Sequence, residues 1–181
     1  ECGRRAVELV EEDLRPSAIM TAGAIDNAIR VLMAVGGSTN AVVHLLAIAG
    51  RLGIDLPLER FDELSRNTPL VASMRPSGRF QMQELFEAGG VPAVMRELQP
   101  LLDGSALTVT GKTVAENLAG VPASPMREVI SSLAEPFAPE GGLSVLQGNL
   151  APRGAIIKHA AASPALLQHR GRAVVFHSLE D

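Results

Sequence analysis

Apolar residues keep a helical rhythm through most of this chain and give way to short β-type runs near its end. Ala6, Val7, Leu9, Val10 and Leu14 predict a helix over residues 4–14, which Pro16 ends or turns. Ile25, Ala28, Ile29, Leu32 and Met33 mark one face of a second helix, Ala22 to Val35, closed by Gly36-Gly37. The run from Ala41 to Ala49 is apolar on nearly every side, which predicts a buried helix rather than a surface one; Gly53 stops it. Leu58–Ser65 and Gln81–Ala88 read as short helices, separated by turns at Thr68-Pro69 and Pro76-Ser77-Gly78. Gly89-Gly90 breaks the second, and Pro92 suits the first turn of a helix over Ala93–Leu102. Ala106 to Thr110, β-branched and bounded by Asp103-Gly104 and Gly111, predicts a strand, followed by a short helix or turn over Thr113–Leu118.

The texture changes near residue 121. Pro122, Pro125, Pro136 and Pro139 fall close together and lead into Gly141-Gly142, the pattern of a crossing between domains. Beyond it the chain predicts strands at Leu143–Leu146, Ala155–Ile157 and Ala173–Phe176, with a small helix opening at Ser163-Pro164. A helix-rich part followed by a strand-and-turn part indicates an α/β protein of two unlike portions.

Composition narrows the function classes. The 181 residues carry sixteen Lys+Arg against twenty Asp+Glu, a formal charge of −4, which lacks the basic footprint of a nucleic-acid binder. The aromatic residues are all Phe, leaving few platforms for stacking bases. The longest apolar run, Ala41–Gly50, is interrupted by His44 and falls short of the roughly 20 residues that span a bilayer. Cys2 is the one cysteine, which excludes an internal disulfide or a multi-thiolate zinc site. The chain opens in mid-helix at Glu1 and stops at Asp181, just past the strand-like run Arg172–Phe176, so a piece of a longer polypeptide is expected.

Candidate chemistry is sparse. His44, His159, His169 and His177 have no metal-ligand spacing among themselves, and His44 reads as a core histidine on the apolar helix. Cys2 lacks a redox partner and reads as an unreactive thiol. Thr110-Gly111-Lys112-Thr113 has no glycine at the upstream P-loop position, so no nucleotide site is expected there. Gly148 to Gly154 reads as a loop between two strands. Gly36-Gly37-Ser38-Thr39-Asn40 opens a helix with hydroxyls, an amide and free N–H groups. That suits a carboxylate or hydroxyl-bearing ligand, and equally a C-cap followed by an N-cap.

The turns, taken in order, carry a resemblance. Gly36-Gly37-Ser38-Thr39-Asn40-Ala41 with His44-Leu45 comes first, then Pro76-Ser77-Gly78, then Ala88-Gly89-Gly90-Val91-Pro92-Ala93-Val94. Leu107-Thr108-Val109-Thr110-Gly111-Lys112-Thr113 follows, with Glu116-Asn117, then Gly141-Gly142-Leu143 and Gly148-Asn149-Leu150-Ala151-Pro152 with Gly154-Ala155 and Lys158. This order and spacing resembles the dihydroxy-acid dehydratase/6-phosphogluconate dehydratase family over essentially the whole chain.

The resemblance implies a cytoplasmic, oligomeric hydro-lyase that removes water from a 2,3-dihydroxy carboxylate to give the 2-keto acid. It implies an iron–sulfur cluster and Mg²⁺ in the full-length enzyme, with none bound by this portion and no catalytic group within it. Residues 1–125 would be the end of an α/β N-terminal domain, 126–142 the inter-domain crossing, and 143–181 the start of a swivelling β-barrel. By position in the motif, Ser38, Thr39 and Asn40 are the candidates for the substrate or cluster pocket. Asn149 and Lys158 fall in a further family motif where a structural role is as good a reading. The small-molecule partner would be a branched-chain dihydroxy acid, or a sugar acid. The stretches Lys158–Pro164 and His169–Phe176 look like sugar-acid members. A non-catalytic binding or assembly module is the alternative from another class.

Overall fold

The computed structural model describes residues 1–180. Its organising element is helix α3, Ala22–Ala34, whose Thr21 hydroxyl accepts from the Ala24 amide 3.3 Å away and so starts the helix. Ile25, Ile29 and Met33 recur at helical spacing and are buried against Val42, Phe61, Leu64 and Leu143. At the end of the same helix, Ala34 enters a second core with Val71, Ala72, Leu85, Val94, Leu98, Val129 and Ile130. One helix therefore walls two cores, and the sequence between residues 58 and 145 wraps around it. Helix α5, Leu58–Arg66, is held to α3 where the half-buried Arg60 guanidinium donates both its Nε and its Nη to the Asp26 carboxylate. That pairing, with Glu63 beside it, holds the guanidinium above its already high pKa.

The flanking helices sit more lightly. Helix α1 runs Cys2–Glu11 with no buried residue, and stops because Asp13 turns to positive φ (50°). Helix α2, Pro16–Ile19, starts on the proline that the sequence reads as a stop; the missing N–H is no loss at a first helical position. Helix α4, Asn40–Arg51, is less buried than its composition predicts. Val42 and Ala49 are covered, whereas Val43 is 65 % exposed and His44 is exposed rather than a core residue. One side packs toward α3, and nothing among the described residues covers the other.

Helix α6, Met82–Glu87, begins with a reciprocal cap in which the Glu84 carboxylate accepts from the Gln81 amide at 2.7 Å. Helix α7, Gly90–Glu97, starts earlier than expected, on Gly89 at φ 105°, and tightens into a 3₁₀ turn at Gln99–Leu101. The strand expected at Ala106–Thr110 is absent. A single bridge, Leu107 to Thr113, closes a loop instead. The Thr108 and Thr110 hydroxyls are taken up by the Asn117 side chain at 2.8 and 3.0 Å, so β-branched residues that would suit a ladder are bonded locally. Helix α8, Val114–Leu118, follows with a Thr113–Glu116 capping box; hydrogen bonds from the Thr113 amide and hydroxyl hold the Glu116 carboxyl below its usual range.

Residues 128–143 cross the body through a series of turns and bends, buried at 129–131 and again at 141–143. Val129 and Ile130 are fully buried, the Ser131 amide donates to Val71 O (2.8 Å), and the Ser73 amide donates to Val129 O (3.0 Å). Strands β1, Ser144–Gly148, and β2, Ala151–Ile157, then pair antiparallel with Ser144 opposite Ile157 and Leu146 opposite Ala155. The loop expected over 148–154 is shorter than predicted, because Ala151–Gly154 already belongs to β2. The hairpin rests on α5, where the Val145 backbone amide donates to Asp62 and the Gln147 side chain donates from Nε2 to Glu59. Helix α9, Pro164–Leu167, forms where Ser163-Pro164 predicts it. Ala173–Phe176 is not a strand: Val174 and Val175 are about three-quarters exposed (73 % and 75 %), and no neighbouring strand among the described residues takes up their backbone groups. The result is a mixed helical and β protein whose described residues hold one two-stranded sheet. A closed barrel takes more strands than that.

Another close joint lies between α3 and the Gly141-Gly142 crossing. The Gly142 amide donates to Met33 O at 3.1 Å and the Gly141 amide to Ser65 O at 2.9 Å, while the Ser65 hydroxyl donates to Leu143 O. A Cβ on Gly142 would lie 2.7 Å from the Gly36 Cα and 3.3 Å from the Ala160 Cβ, a clash with the Gly36 main chain. Gly142→Ala is therefore expected to lower the unfolding free energy by about 1–3 kcal/mol. Gly120→Ala, with open space around it, should change it by less than about 0.5 kcal/mol. Urea unfolding of the two variants checks the contrast.

Candidate functional site

The loop that opens α4 is shaped by how α3 ends. Gly36 takes a left-handed conformation (φ 58°), which lets its amide reach Met33 O at 3.2 Å and the Gly37 amide reach Leu32 O at 2.9 Å. The chain then reverses through Ser38 and Thr39 into α4. The Ser38 hydroxyl accepts from the Asn40 amide at 3.2 Å and so caps the new helix, while Thr39 lies in the helical region and makes no side-chain cap.

Ser38 and Thr39 line a cleft of about 470 Å³ together with Gly36, Gly37, Arg75, Pro76 and Lys158. Val31, Val35, Met74, Leu85 and Val91 form its apolar side. Asn40 is exposed and is not one of the lining residues. Of the three motif candidates, the structure brings two to the cleft and leaves the third at the helix start outside it.

Two cations enter the cleft from distant parts of the chain. Arg75 sits in a tight turn over residues 73–80, with a cis Arg75-Pro76 bond. Its amide donates to Phe80 O (2.9 Å), its Nε donates to Arg79 O (3.1 Å), and the Gly78 amide donates to Met74 O (2.7 Å). Gly78 has to be glycine: a Cβ there would fall 2.2 Å from the Ser73 carbonyl carbon. Ser77 of the same turn lies against Gly36, which brings the Pro76-Ser77-Gly78 and Gly36-Gly37 motifs side by side. Lys158 follows directly on β2. It is positioned by the Ala160 amide, which donates to Gly142 O (3.3 Å), and by the hydrogen bond between the Ser144 hydroxyl and His159 Nδ1 (2.9 Å).

No carboxylate lines this cleft, and neither Arg75 nor Lys158 has an ion-pair partner among the described residues. The cavity between α5 and the hairpin is different: there Glu59 and Asp62 stand with Arg66, and the Asp62–Arg66 pair at 2.8 Å offsets its charge. Lined by two cations and two hydroxyls, the Ser38–Lys158 cleft suits an anionic, hydroxylated small molecule. It contains no carboxylate, histidine or cysteine to move a proton or ligate a metal.

The other candidates are dispersed. His44 lies on the exposed face of α4, Asn149 is exposed at the hairpin tip, and Cys2 is exposed on α1. Among the described residues no three His, Cys, Asp or Glu side chains converge as a metal site. No helix among them is long and apolar enough to cross a membrane. Arg75 escapes the sequence reading because its signal, an arginine before a Pro-Ser-Gly turn, has meaning only once that turn is placed beside Gly36.

The geometry divides Ser38 from Asn40. Ser38→Ala removes the cap and is expected to cost about 1 kcal/mol of stability, whereas Asn40→Ala should cost less than about 0.5 kcal/mol. Chemical denaturation of both variants measures the difference.

Comparison with known proteins gives a consistent set of matches. A family model described as dihydroxy-acid/6-phosphogluconate dehydratase N-terminal matches residues 1–117, and its C-terminal counterpart matches residues 128–181. A dihydroxy-acid dehydratase of Moorella thermoacetica is 50 % identical over 100 % of this chain and 33 % of its own length. One from Ignicoccus hospitalis is 52 % identical over 99 % of this chain and 33 % of its own. An L-arabinonate dehydratase of Rhizobium leguminosarum bv. trifolii is 50 % identical over 99 % of this chain and 31 % of its own. The chain spans about a third of the length of these curated relatives.

Proposed function

The chain belongs to the dihydroxy-acid/6-phosphogluconate dehydratase family, and on that footing we propose that the whole protein is a hydro-lyase converting a branched-chain 2,3-dihydroxy acid to the 2-keto acid. The observation that carries this reading is the identity of about half the residues, over the full chain, with proteins named dihydroxy-acid dehydratase. The second reading, a sugar-acid dehydratase, rests on an equally similar protein named L-arabinonate dehydratase.

The reaction has a clear physical demand. Hydroxide is a poor leaving group and the proton on C2 is weakly acidic, so positive charge has to be supplied at both ends of the breaking bonds. An iron–sulfur cluster and Mg²⁺ are the groups that would supply it. Cys2 is this chain's one cysteine and is exposed, so a cluster held by several thiolates would need ligands beyond those of this chain. We place their ligands, and the base that removes the proton, on polypeptide outside residues 1–181. This chain's share is binding: the hydroxyls of Ser38 and Thr39, with Arg75 and Lys158, form a wall that holds and orients the acid.

The test is an assay of the full-length enzyme for 2-keto acid, with 2,3-dihydroxy-3-methylbutanoate and L-arabinonate offered separately. We expect product from the branched-chain acid with kcat/KM at least about tenfold above that for the sugar acid. A preference for L-arabinonate would establish the second reading in its place, and no keto acid from either would overturn the hydro-lyase. The isolated 181-residue chain should form none; product from it would put the reacting groups back inside this chain.

A further inference from the structure

We propose that Arg75 and Lys158 form a two-point clamp for a small oxyanion, the carboxylate or phosphate of a hydroxylated acid, with the Ser38 and Thr39 hydroxyls beside it. That the anion belongs to the substrate rests on the dehydratase reading; the clamp itself rests on the geometry.

Three observations carry it. The first is charge without compensation. In a chain of net charge −4, two cations line one cleft of about 470 Å³ that no Asp or Glu enters. The second is preorganisation. Arg75 is held by main-chain bonds from its own amide and from its Nε, in a turn that Gly78 keeps compact. The Lys158 backbone is fixed between β2 pairing on one side and the Ala160–Gly142 bond on the other. Little ordering of main chain is left to oppose binding. The third is a set of unused donors. The Ser38 hydroxyl accepts from Asn40 and still has its own proton to give, and the Ser38 and Thr39 amides donate to nothing within the described residues. A guanidinium, an ammonium and hydroxyl donors converging on one concave surface match the oxygens of a carboxylate or phosphate, where charge-assisted hydrogen bonds are strongest.

The test is isothermal titration calorimetry on the 181-residue chain at about 20 mM ionic strength, where exposed charges are little screened. Inorganic phosphate and D-glycerate are the two probes, and they separate a phosphate from a hydroxy-acid carboxylate as the favoured ion. Saturable binding of at least one is expected. Arg75→Gln and Lys158→Gln should each weaken it about tenfold, while Lys158→Arg retains it. Arg96→Gln, an exposed arginine on α7 facing Gln99, should leave it unchanged. Thermal melting of each variant shows that the fold is kept. For the unaltered chain, raising NaCl to about 200 mM should weaken binding several-fold, a readout that needs no variant. No saturable binding of either probe, or binding unaffected by either glutamine variant, overturns the clamp. Because the titration requires no turnover, loss of the clamp and loss of the dehydratase reading are seen separately.

Discussion

The structure depends on one close approach of main chain to main chain. Where α3 ends, Gly36 turns left-handed and presents a bare Cα, and Gly142 passes over it with a bare Cα of its own. A side chain on Gly142 would run into the Gly36 main chain and hold the two segments apart, whereas one on Gly36 would meet Leu70 and Ser77. Without that contact the Met33 carbonyl and the Gly142 amide could not bond, Leu143 would not reach the core with Phe61 and Leu64, and the hairpin would lose its seat on α5. Unpaired backbone groups at such a buried crossing are costly, so the contact and its hydrogen bonds stand or fall together.

The same approach assembles the cleft. One segment brings Ser38 and Thr39, the 73–80 turn brings Arg75, and the residues after β2 bring Lys158. Each of the three touches the glycine joint: Ser77 lies against Gly36, and Ala160 bonds to Gly142. The family motifs rich in glycine and proline are thus neighbours in space. Their conformational demands are structural, and the cleft is what those demands leave between them.

What could be read from the sequence follows how local the cause is. Thr21, Gln81, Thr113 and Gly36-Gly37 act on backbone groups within a few residues, and α3, α6 and α8 form close to where those signals put them. Strands need a partner from elsewhere. Ala106–Thr110 and Ala173–Phe176 have strand composition and no ladder, whereas Ser144–Gly148 and Ala151–Ile157 have each other. Burial is equally non-local: α4 has the composition of a core helix, yet Val43 and His44 face outward because packing, not composition, decides which side is covered. In the cleft, Ser38 and Thr39 are legible from their motif and Lys158 from a further one, while Arg75 is not, since no short-range pattern joins it to the others.

Helix α1 illustrates a different regime of attachment. It buries no side chain, and its link to the body runs through Arg5, which donates to Val109 O at 2.6 Å while gripping Glu12 at 2.7 and 2.8 Å. Such a tether contributes little cooperativity, because exposed ion pairs are weak and electrolyte shields them. The helix can therefore fray while the two cores stay intact. In amide hydrogen exchange it would behave as a separate foldon, exchanging through local opening long before the α3 amides, which wait for global unfolding.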